Sequence, residues 1–137
     1  MAEALRQRVR FPPGAVLVPV PLSAARERSR GYNQSAVLAE FLARALRMPL
    51  ARALLRRQRD TITQTALTPE ERQANLRGAF AAGGAVRGVP VLVDDVFTTG
   101  ATLAEAARAL LDAGAGGVSG VTFARAPMPL AGAAAGQ

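Results

Sequence analysis

The chain has 137 residues, half of them apolar, and this length and composition predict one domain with a packed core. It contains no cysteine, histidine or lysine, which excludes disulfides, catalytic thiols, serine–histidine triads and lysine Schiff bases and leaves no thiol or imidazole for a zinc site. The 17 arginines outnumber the 10 acidic residues, and the net charge of +7 favours an anionic partner, either nucleic acid or a small polyphosphate. No apolar run is long enough to span a bilayer and no signal-peptide pattern is present, so we expect a cytoplasmic protein that does not enter a membrane.

The first predicted element is a buried strand from Ala15 to Val20, which follows a short basic lead-in. Pro19 and Pro21 lie at its end, where a missing backbone donor costs little, so the chain is expected to leave the sheet there. Residues 23–35 contain three alternating arginines and are predicted to form a charged loop. From composition alone, a solvated surface is the favoured interpretation of that loop.

The middle of the chain predicts a long helix, an ambiguous segment, a short helix and a short strand. Apolar residues recur at helical spacing, and Met48-Pro49 ends this packing helix. Its predicted buried stripe consists of Val37, Leu38, Phe41, Leu42 and Ala45. Residues 50–59 fit either a strand or a helix. Residues 68–71 (Thr-Pro-Glu-Glu) have the pattern of a capped helix start, with a helix to Leu76 and then a strand at residues 79–82.

The segment from Val89 to Leu103 combines a buried strand, two acids and a helix start. Its apolar run predicts a parallel strand covered on both faces, and apolar residues at helical spacing predict a helix that ends before Gly114. Between them, residues 98–102 offer backbone N–H groups, three hydroxyls and a glycine at the positive end of the helix dipole, which suits a phosphate. Asp94 and Asp95 could accept hydrogen bonds from the vicinal hydroxyls of a ribose or help to hold a cation. Taken separately, the acids also fit a simple strand cap and the glycine an ordinary turn.

Together these residues resemble the phosphoribosyl-pyrophosphate signature of type I phosphoribosyltransferases, in which two acids after an apolar strand are followed closely by Thr-Thr-Gly-x-Thr. The resemblance implies that Asp94 and Asp95 are the catalytic acids and face the 2′ and 3′ hydroxyls of the ribose. It also implies a loop around the 5′-phosphate, which is formed by Thr98, Thr99, Gly100, Ala101 and Thr102.

Two other segments resemble the ComF (competence protein F-like) branch of these proteins. They are residues 19–35, with Pro-Val-Pro-Leu and Arg-Gly-Tyr-Asn-Gln-Ser, and residues 59–80, with Arg-x-Thr-x-x-Gln and Arg-x-x-Asn. In type I enzymes, the loop after the first strand binds pyrophosphate, and a mobile loop closes over the reacting ribose. The pyrophosphate loop would run from Leu22 through Ser23 and Ala24 to Ala25, with Arg26, Arg28 and Arg30 close by. The mobile loop would contain Arg59, Thr61, Gln64 and Arg72, the alternative being a long surface loop with a capped helix.

The expected architecture is a single α/β domain of the type I phosphoribosyltransferase-like kind, with a twisted, mainly parallel sheet flanked by helices. Residues 118–124 predict the last strand, the core spans about residues 15–125, and the low-complexity residues 126–137 are expected to be disordered. Many ComF-like proteins carry a four-cysteine zinc ribbon ahead of this region. Since the sequence has no cysteine, we expect this chain to lack that ribbon, and the N-terminal part of the usual core looks shortened.

The resemblance implies transfer of ribose 5-phosphate from phosphoribosyl pyrophosphate to a small-molecule base, which no residue identifies, with Mg²⁺ as the cofactor. The metal would be held through the substrate, with Asp94 and Asp95 as candidate protein ligands. A non-catalytic phosphoribosyl-pyrophosphate-binding or DNA-uptake accessory protein is the alternative. Direct nucleic-acid binding ranks third, because an aromatic stacking platform and a recognition-helix pattern are lacking. The fold often forms pairs, so a homodimer is a candidate assembly.

Overall fold

The computed structural model of the protein describes residues 10–22, 24–58, 68–97 and 100–125. These ranges contain five strands: β1 (Ala15–Pro19), β2 (Leu55–Arg57), β3 (Phe80–Ala82), β4 (Val89–Phe97) and β5 (Ser119–Arg125). They also contain four helices: α1 (Ala24–Arg30), α2 (Gln34–Leu46), α3 (Pro69–Leu76) and α4 (Ala101–Asp112). None of these four helices is both long and apolar enough to cross a lipid bilayer. The tail predicted at residues 126–137 lies outside the described residues.

Three strands form one parallel sheet in the order β1–β4–β5. In the first pair, Ala15 lies opposite Val89 and Pro19 lies opposite Val93. The pairing of β4 with β5 extends further along β4, to its last residue, Phe97. Strands β2 and β3 form a separate antiparallel pair. The predicted α/β fold with a mainly parallel sheet is therefore confirmed, and it is consistent with a phosphoribosyltransferase-like architecture.

The centre of β4 is buried on both faces, as its uninterrupted apolar run predicts. Val91, Leu92 and Val93 are at most 1 % exposed. One face of the sheet packs against α2 through Leu17, Val91, Val93, Ala39 and Leu42. The other face packs against α4 and the β2–β3 pair through Val18, Leu92, Leu55, Phe80, Ala106 and Leu110. The strand that carries the two acids is thus held between α2 on one face and α4 with the β2–β3 pair on the other.

Helix α2 is present as predicted, but its buried face differs from the predicted stripe. Val37 and Phe41 are 48 % and 46 % exposed. Leu42 of the predicted stripe is buried, and Leu38 packs against the same core. The other buried residues of this face are Ser35 and Ala39, which lie outside the predicted stripe. Because the inward face begins at a serine, a stripe drawn through apolar residues alone is displaced around the helix axis.

The charged stretch after β1 also differs from the sequence prediction, because residues 24–30 form helix α1 and not a loop. The alternating arginines suggested a solvated loop, but the alanines, arginines and glutamate of this stretch are good helix formers. Gly31 ends the helix in the left-handed conformation (φ 85°), and its N–H donates to the C=O of Glu27 at 2.7 Å. The ambiguous residues 50–59 contain strand β2.

The second half of the described chain follows the predicted order closely. β3 lies within the predicted residues 79–82, and α4 ends before Gly114, which has a φ of 108°. The turn into β4 contains Gly88 (φ 75°), where an added Cβ would lie 2.5 Å from the C=O of Gly14. A glycine at this position therefore allows the start of β4 to approach the start of β1.

Helix α3 begins with the capping box that its sequence predicts. The Oγ1 of Thr68 accepts a hydrogen bond from the N–H of Glu71 at 3.1 Å, and Glu71 Oε1 accepts from the N–H of Thr68 at 2.8 Å. The hydrogen bonds from Thr68 hold the pKa of Glu71 below its usual value. The start of this helix is therefore fixed by local contacts.

Replacing Thr68 by alanine removes the acceptor for the Glu71 N–H, and we expect the free energy of unfolding to fall by about 1 kcal/mol. Urea denaturation followed by circular dichroism measures this change. The variant Thr68→Ser keeps the hydroxyl and should remain close to wild type. An unchanged denaturation midpoint in Thr68→Ala would show that the capping box does not stabilise the fold.

Candidate functional site

Two aspartates lie at the carboxyl end of β4, in the part of the strand that extends beyond β1. The pairing of β1 with β4 ends at Pro19 and Val93, whereas β4 continues to Phe97 with β5 as its partner. Asp94 and Asp95 are the first residues of this extension. After β1 the chain turns into α1 and α2, so the acids lie at the sheet edge where open parallel sheets bind ligands.

Asp94 is half-buried and accepts two hydrogen bonds on one carboxylate oxygen. Ser35 Oγ donates to its Oδ1 at 3.0 Å, and the backbone N–H of Asp95 donates to the same atom at 3.0 Å. Burial raises the pKa of Asp94 to about 6, while the two hydrogen bonds oppose the rise and the nearby Asp95 carboxylate adds to it. At neutral pH the side chain is therefore mainly ionised and can act as a hydrogen-bond acceptor.

Asp95 is partly open to solvent, and an arginine of α1 lies beside it. The Nη1 of Arg30 is 4.0 Å from Asp95 Oδ2, and the two side chains are 52 % and 31 % exposed. An ion pair of this length and exposure contributes little to stability. Both groups are therefore accessible to a ligand that carries hydroxyl and phosphate groups.

The residues between α1 and α2 connect the acids to the end of β1. Asn33 is the N-cap of α2: its side chain accepts from the N–H of Ser35 at 3.0 Å and donates to the C=O of Val20 at 3.3 Å. Ser35 in turn donates to Asp94. Both residues lie in a segment that resembles the ComF branch, but no role for Asn33 or Ser35 is predicted from the sequence. An asparagine just before an apolar helix is an N-cap signal that could have located the first of them.

The predicted phosphate loop leads into the N-terminus of α4. Gly100 is the N-cap residue and has a φ of 81°, a left-handed conformation that favours glycine. Ala101 and Thr102 lie in the first turn of α4. The N-terminus of a helix is a common position for a bound anion in proteins. Since glycine has no side chain, Gly100 makes no side-chain capping hydrogen bond to this turn. The other two residues of the predicted phosphate loop, Thr98 and Thr99, lie outside the described residues.

Most of the residues predicted to form a pyrophosphate loop belong to helix α1. Leu22 follows β1 and is half-buried, and Ser23 lies outside the described residues. Within the helix lie Ala24, Arg26, Arg28 and Arg30. These four residues are helical and do not form the charged loop that was predicted, because residues 24–30 are rich in good helix formers. Their predicted contact with pyrophosphate stays a prediction. The structure brings Arg30 beside Asp95, while Arg28 is exposed and lies two residues earlier in the helix.

The residues predicted to form a mobile loop fall largely outside the described ranges, namely Arg59, Thr61 and Gln64. Arg72 lies in helix α3. After this helix, the N–H of Gly78 donates to Glu105 Oε2 of α4 at 3.0 Å. That hydrogen bond connects the residue after α3 to α4, the helix that follows the predicted phosphate loop.

The two acids fit a magnesium ion that is carried by a polyphosphate ligand. Among the residues that the structure describes, no group of three or more Asp, Glu, His or Cys side chains could hold a metal. Mg²⁺ commonly takes one or two protein carboxylates and completes its coordination with water and substrate phosphates. Asp94 and Asp95 supply carboxylate oxygens of that kind at the sheet edge, so the donor set fits the ion that the resemblance implies.

Several known proteins are similar to this chain over most of its length. Competence protein F of Haemophilus influenzae is 39% identical over 98 residues, which cover 69% of this chain and 43% of that protein. The DNA utilization protein YhgH of Escherichia coli is 43% identical over 103 residues, covering 74% and 45%. Competence protein ComFC of Bacillus subtilis is 41% identical over 111 residues, covering 80% and 44%. The chain thus spans less than half the length of each of these relatives.

No protein-family model matches the sequence. The similarity to individual relatives nevertheless covers at least 69% of the chain at 39% identity or more. The described fold has the parallel sheet that the resemblance to this group implied. The chain therefore belongs to the ComF (competence protein F-like) family.

Proposed function

We propose that this protein is a phosphoribosyltransferase that moves ribose 5-phosphate from phosphoribosyl pyrophosphate to a nitrogenous acceptor and releases pyrophosphate. The supporting observation is that Asp94 and Asp95 lie beyond the end of β1, with Gly100 opening helix α4 shortly afterwards. The acids suit ribose hydroxyls, and the helix start suits a phosphate. Both groups belong to a single molecule, ribose 5-phosphate. Since β4 and α4 share one apolar core, the spacing between the two subsites is fixed by packing.

The proposed reaction needs no nucleophilic side chain. The bond between ribose C1 and the pyrophosphate oxygen breaks, and that oxygen keeps the electron pair. A nitrogen of the acceptor forms the new bond to C1, and its proton passes to water. This chemistry passes through an oxocarbenium-like ribose and agrees with a chain that has no histidine or cysteine. Mg²⁺ bound to the pyrophosphate would supply further neutralisation of the departing charge.

Arg30 is the described arginine that lies beside the acids, and it is placed to attract the pyrophosphate group. We expect Arg30→Gln to weaken the binding of phosphoribosyl pyrophosphate about three- to tenfold, because the lost charge is exposed and partly screened. Calorimetric titration at low and at high salt measures the effect, which should shrink as salt rises. Protein stability should stay at the wild-type value.

Arg44→Gln is the matched control. Arg44 is an exposed arginine of α2, so its substitution removes the same charge at a different place on the surface. Its affinity should equal that of wild type within about twofold. If Arg30→Gln and Arg44→Gln bind phosphoribosyl pyrophosphate equally well, Arg30 is not part of the ligand site.

The names of the relatives favour a second candidate function, a non-catalytic accessory protein for DNA uptake, whose site in this chain would still bind phosphoribosyl pyrophosphate. Two of the relatives are named for competence and one for DNA utilization. Those names state no enzyme activity. The ligand site would be the same in both cases, so ligand binding does not separate the two functions, whereas turnover does.

Release of pyrophosphate distinguishes the two candidates. The protein is incubated with phosphoribosyl pyrophosphate, Mg²⁺ and a panel of purine, pyrimidine and nicotinate-type bases, and pyrophosphate is measured with a coupled pyrophosphatase assay. Base-dependent release that disappears in the Asp94→Asn/Asp95→Asn double variant supports a transferase. Ligand binding without release with any base supports the accessory protein. No ligand binding rejects both functions.

A further inference from the structure

Ser35 is a buried polar residue in the apolar contact between α2 and the sheet. It is 2 % exposed, and its neighbours on the same helix face are Ala39 and Leu42. A hydroxyl in such a place is costly unless it is hydrogen-bonded. Its partner is the carboxylate of Asp94, with Ser35 Oγ 3.0 Å from Asp94 Oδ1. The buried hydroxyl therefore contacts an acid of the candidate site.

The hydrogen bonds to Asp94 leave its two carboxylate oxygens in different environments. Oδ1 accepts from Ser35 Oγ and from the N–H of Asp95, each at 3.0 Å. Two donors on one oxygen restrict rotation of the carboxylate about its last torsion. Oδ1 is thus fixed by the protein, and the resulting orientation of the carboxylate determines where Oδ2 points.

Ser35 is itself held in place by a ring of hydrogen bonds. Its N–H donates to the side chain of Asn33, whose amide group donates to the C=O of Val20 at 3.3 Å. The N–H of Val20 donates to the C=O of Val93 at 3.0 Å, and Val93 is the residue that precedes Asp94. The ring fixes the serine hydroxyl relative to both β1 and β4.

We propose that Ser35 is a positioning residue that orients the Asp94 carboxylate toward the vicinal hydroxyls of a sugar phosphate. The protein would thereby distinguish ribose 5-phosphate from analogues that lack these hydroxyls. The inference rests on the proposed function, because it assigns Asp94 to the sugar. Ser35 acts through Asp94 and does not touch the ligand. As a neutral donor, it leaves the negative charge of the acid available to accept hydrogen bonds.

The test compares ribose 5-phosphate with 2,3-dideoxyribose 5-phosphate, which has the same ring and phosphate but no vicinal hydroxyls. Calorimetry gives the affinity of both ligands for wild type and for the variants. Ser35→Ala should bind ribose 5-phosphate about five- to tenfold more weakly than wild type, with its affinity for the dideoxy analogue unchanged. Ser35→Thr keeps the hydroxyl and should retain the wild-type preference. Ser119→Ala is the matched control, because Ser119 is exposed at the opposite end of the sheet.

A purely structural role for Ser35 would lower the affinity for both ligands equally, and that result would overturn the inference. An unchanged preference in Ser35→Ala, or the same loss in Ser35→Thr, would also overturn it. Circular dichroism and urea denaturation check that each variant is folded. If Ser35→Ala does not fold, Ser35→Cys replaces it, because a thiol is of similar size but a weaker donor. Wild-type protein that binds no ribose 5-phosphate would reject the proposed function itself, whereas normal wild-type binding with an unaffected Ser35→Ala rejects this inference alone.

Discussion

Replacing Asp95 by asparagine should weaken the binding of phosphoribosyl pyrophosphate by about 10- to 100-fold. The carboxylate is a charged acceptor for a ribose hydroxyl. The amide that replaces it has no charge, and an NH₂ donor takes the place of one of the two acceptor oxygens. Because Asp95 is partly exposed and its ion pair with Arg30 is long, the fold should keep its stability. Calorimetric titration in Mg²⁺ gives the affinity, and urea denaturation gives the stability.

Asp112→Asn is the matched control for this variant. Asp112 is an exposed acid at the C-terminal end of α4, where it pairs with Arg108, and it lies far along the helix from Gly100. Its removal should leave ligand affinity at the wild-type value. If Asp95→Asn binds as tightly as Asp112→Asn, then Asp95 does not contact the ligand.

The second large effect concerns Asp94, whose replacement by asparagine should stabilise the protein at pH 8 by about 1–2 kcal/mol. Burial raises the pKa of Asp94 from 3.8 to about 6, so the folded state binds this proton more tightly than the unfolded state. Stability is therefore lost as the pH rises from about 4 to about 6 and stays lower above that range. The pKa shift sets an upper bound of about 3 kcal/mol on the stability gained by Asp94→Asn, and partial solvent exposure of Asp94 makes the expected gain smaller. Asparagine has no charge to bury and keeps an oxygen that can accept from Ser35.

The pH dependence of this effect identifies its cause. Below about pH 4, Asp94 is protonated in the folded and the unfolded state, so wild type and Asp94→Asn should converge in stability. Urea denaturation at pH 4, 6 and 8 measures the difference, with Asp112→Asn as the control. A difference that stays constant across this range would show that the Asp94 charge is not responsible. A destabilised Asp94→Asn at pH 8 would mean that the fold favours the ionised acid.

The stabilised variant is also expected to lose ligand affinity, because Asp94 no longer offers a carboxylate oxygen to the sugar. A half-buried acid that lowers stability at neutral pH, and that a buried serine holds in one orientation, is typical of a functional site. Gain of stability and loss of binding in the same variant would link these two properties directly.

The strand and helix on either side of the acids could be predicted from the sequence because each carries a strong local signal. Val91 to Val93 form an uninterrupted apolar run, and α4 has apolar residues at helical spacing with Gly114 just beyond its end. The capping box at Thr68 is equally local, since all of its donors and acceptors lie within four residues. Features of this kind are encoded within a short window of sequence.

Other features depended on tertiary contacts or on conflicting local signals. The hydrogen bond from Ser35 to Asp94 joins residues 59 positions apart, which no spacing rule could predict. Burial of a serine is also not expected from its residue type, because it is favourable only when the hydroxyl has a partner. The alternating arginines of residues 24–30 suggested a loop, although the same residues have good helix propensity. A polar residue type thus gave no indication that Ser35 is buried, and the charges of residues 24–30 gave no indication that they are helical.

The most direct measurement of the central claim is a calorimetric titration of the wild-type protein with phosphoribosyl pyrophosphate in the presence of Mg²⁺, repeated with ribose 5-phosphate as a competitor. A site formed by Asp94, Asp95 and the start of α4 predicts saturable binding of one ligand per chain, which ribose 5-phosphate displaces. Absence of binding, or binding that ribose 5-phosphate does not displace, would contradict the proposed site.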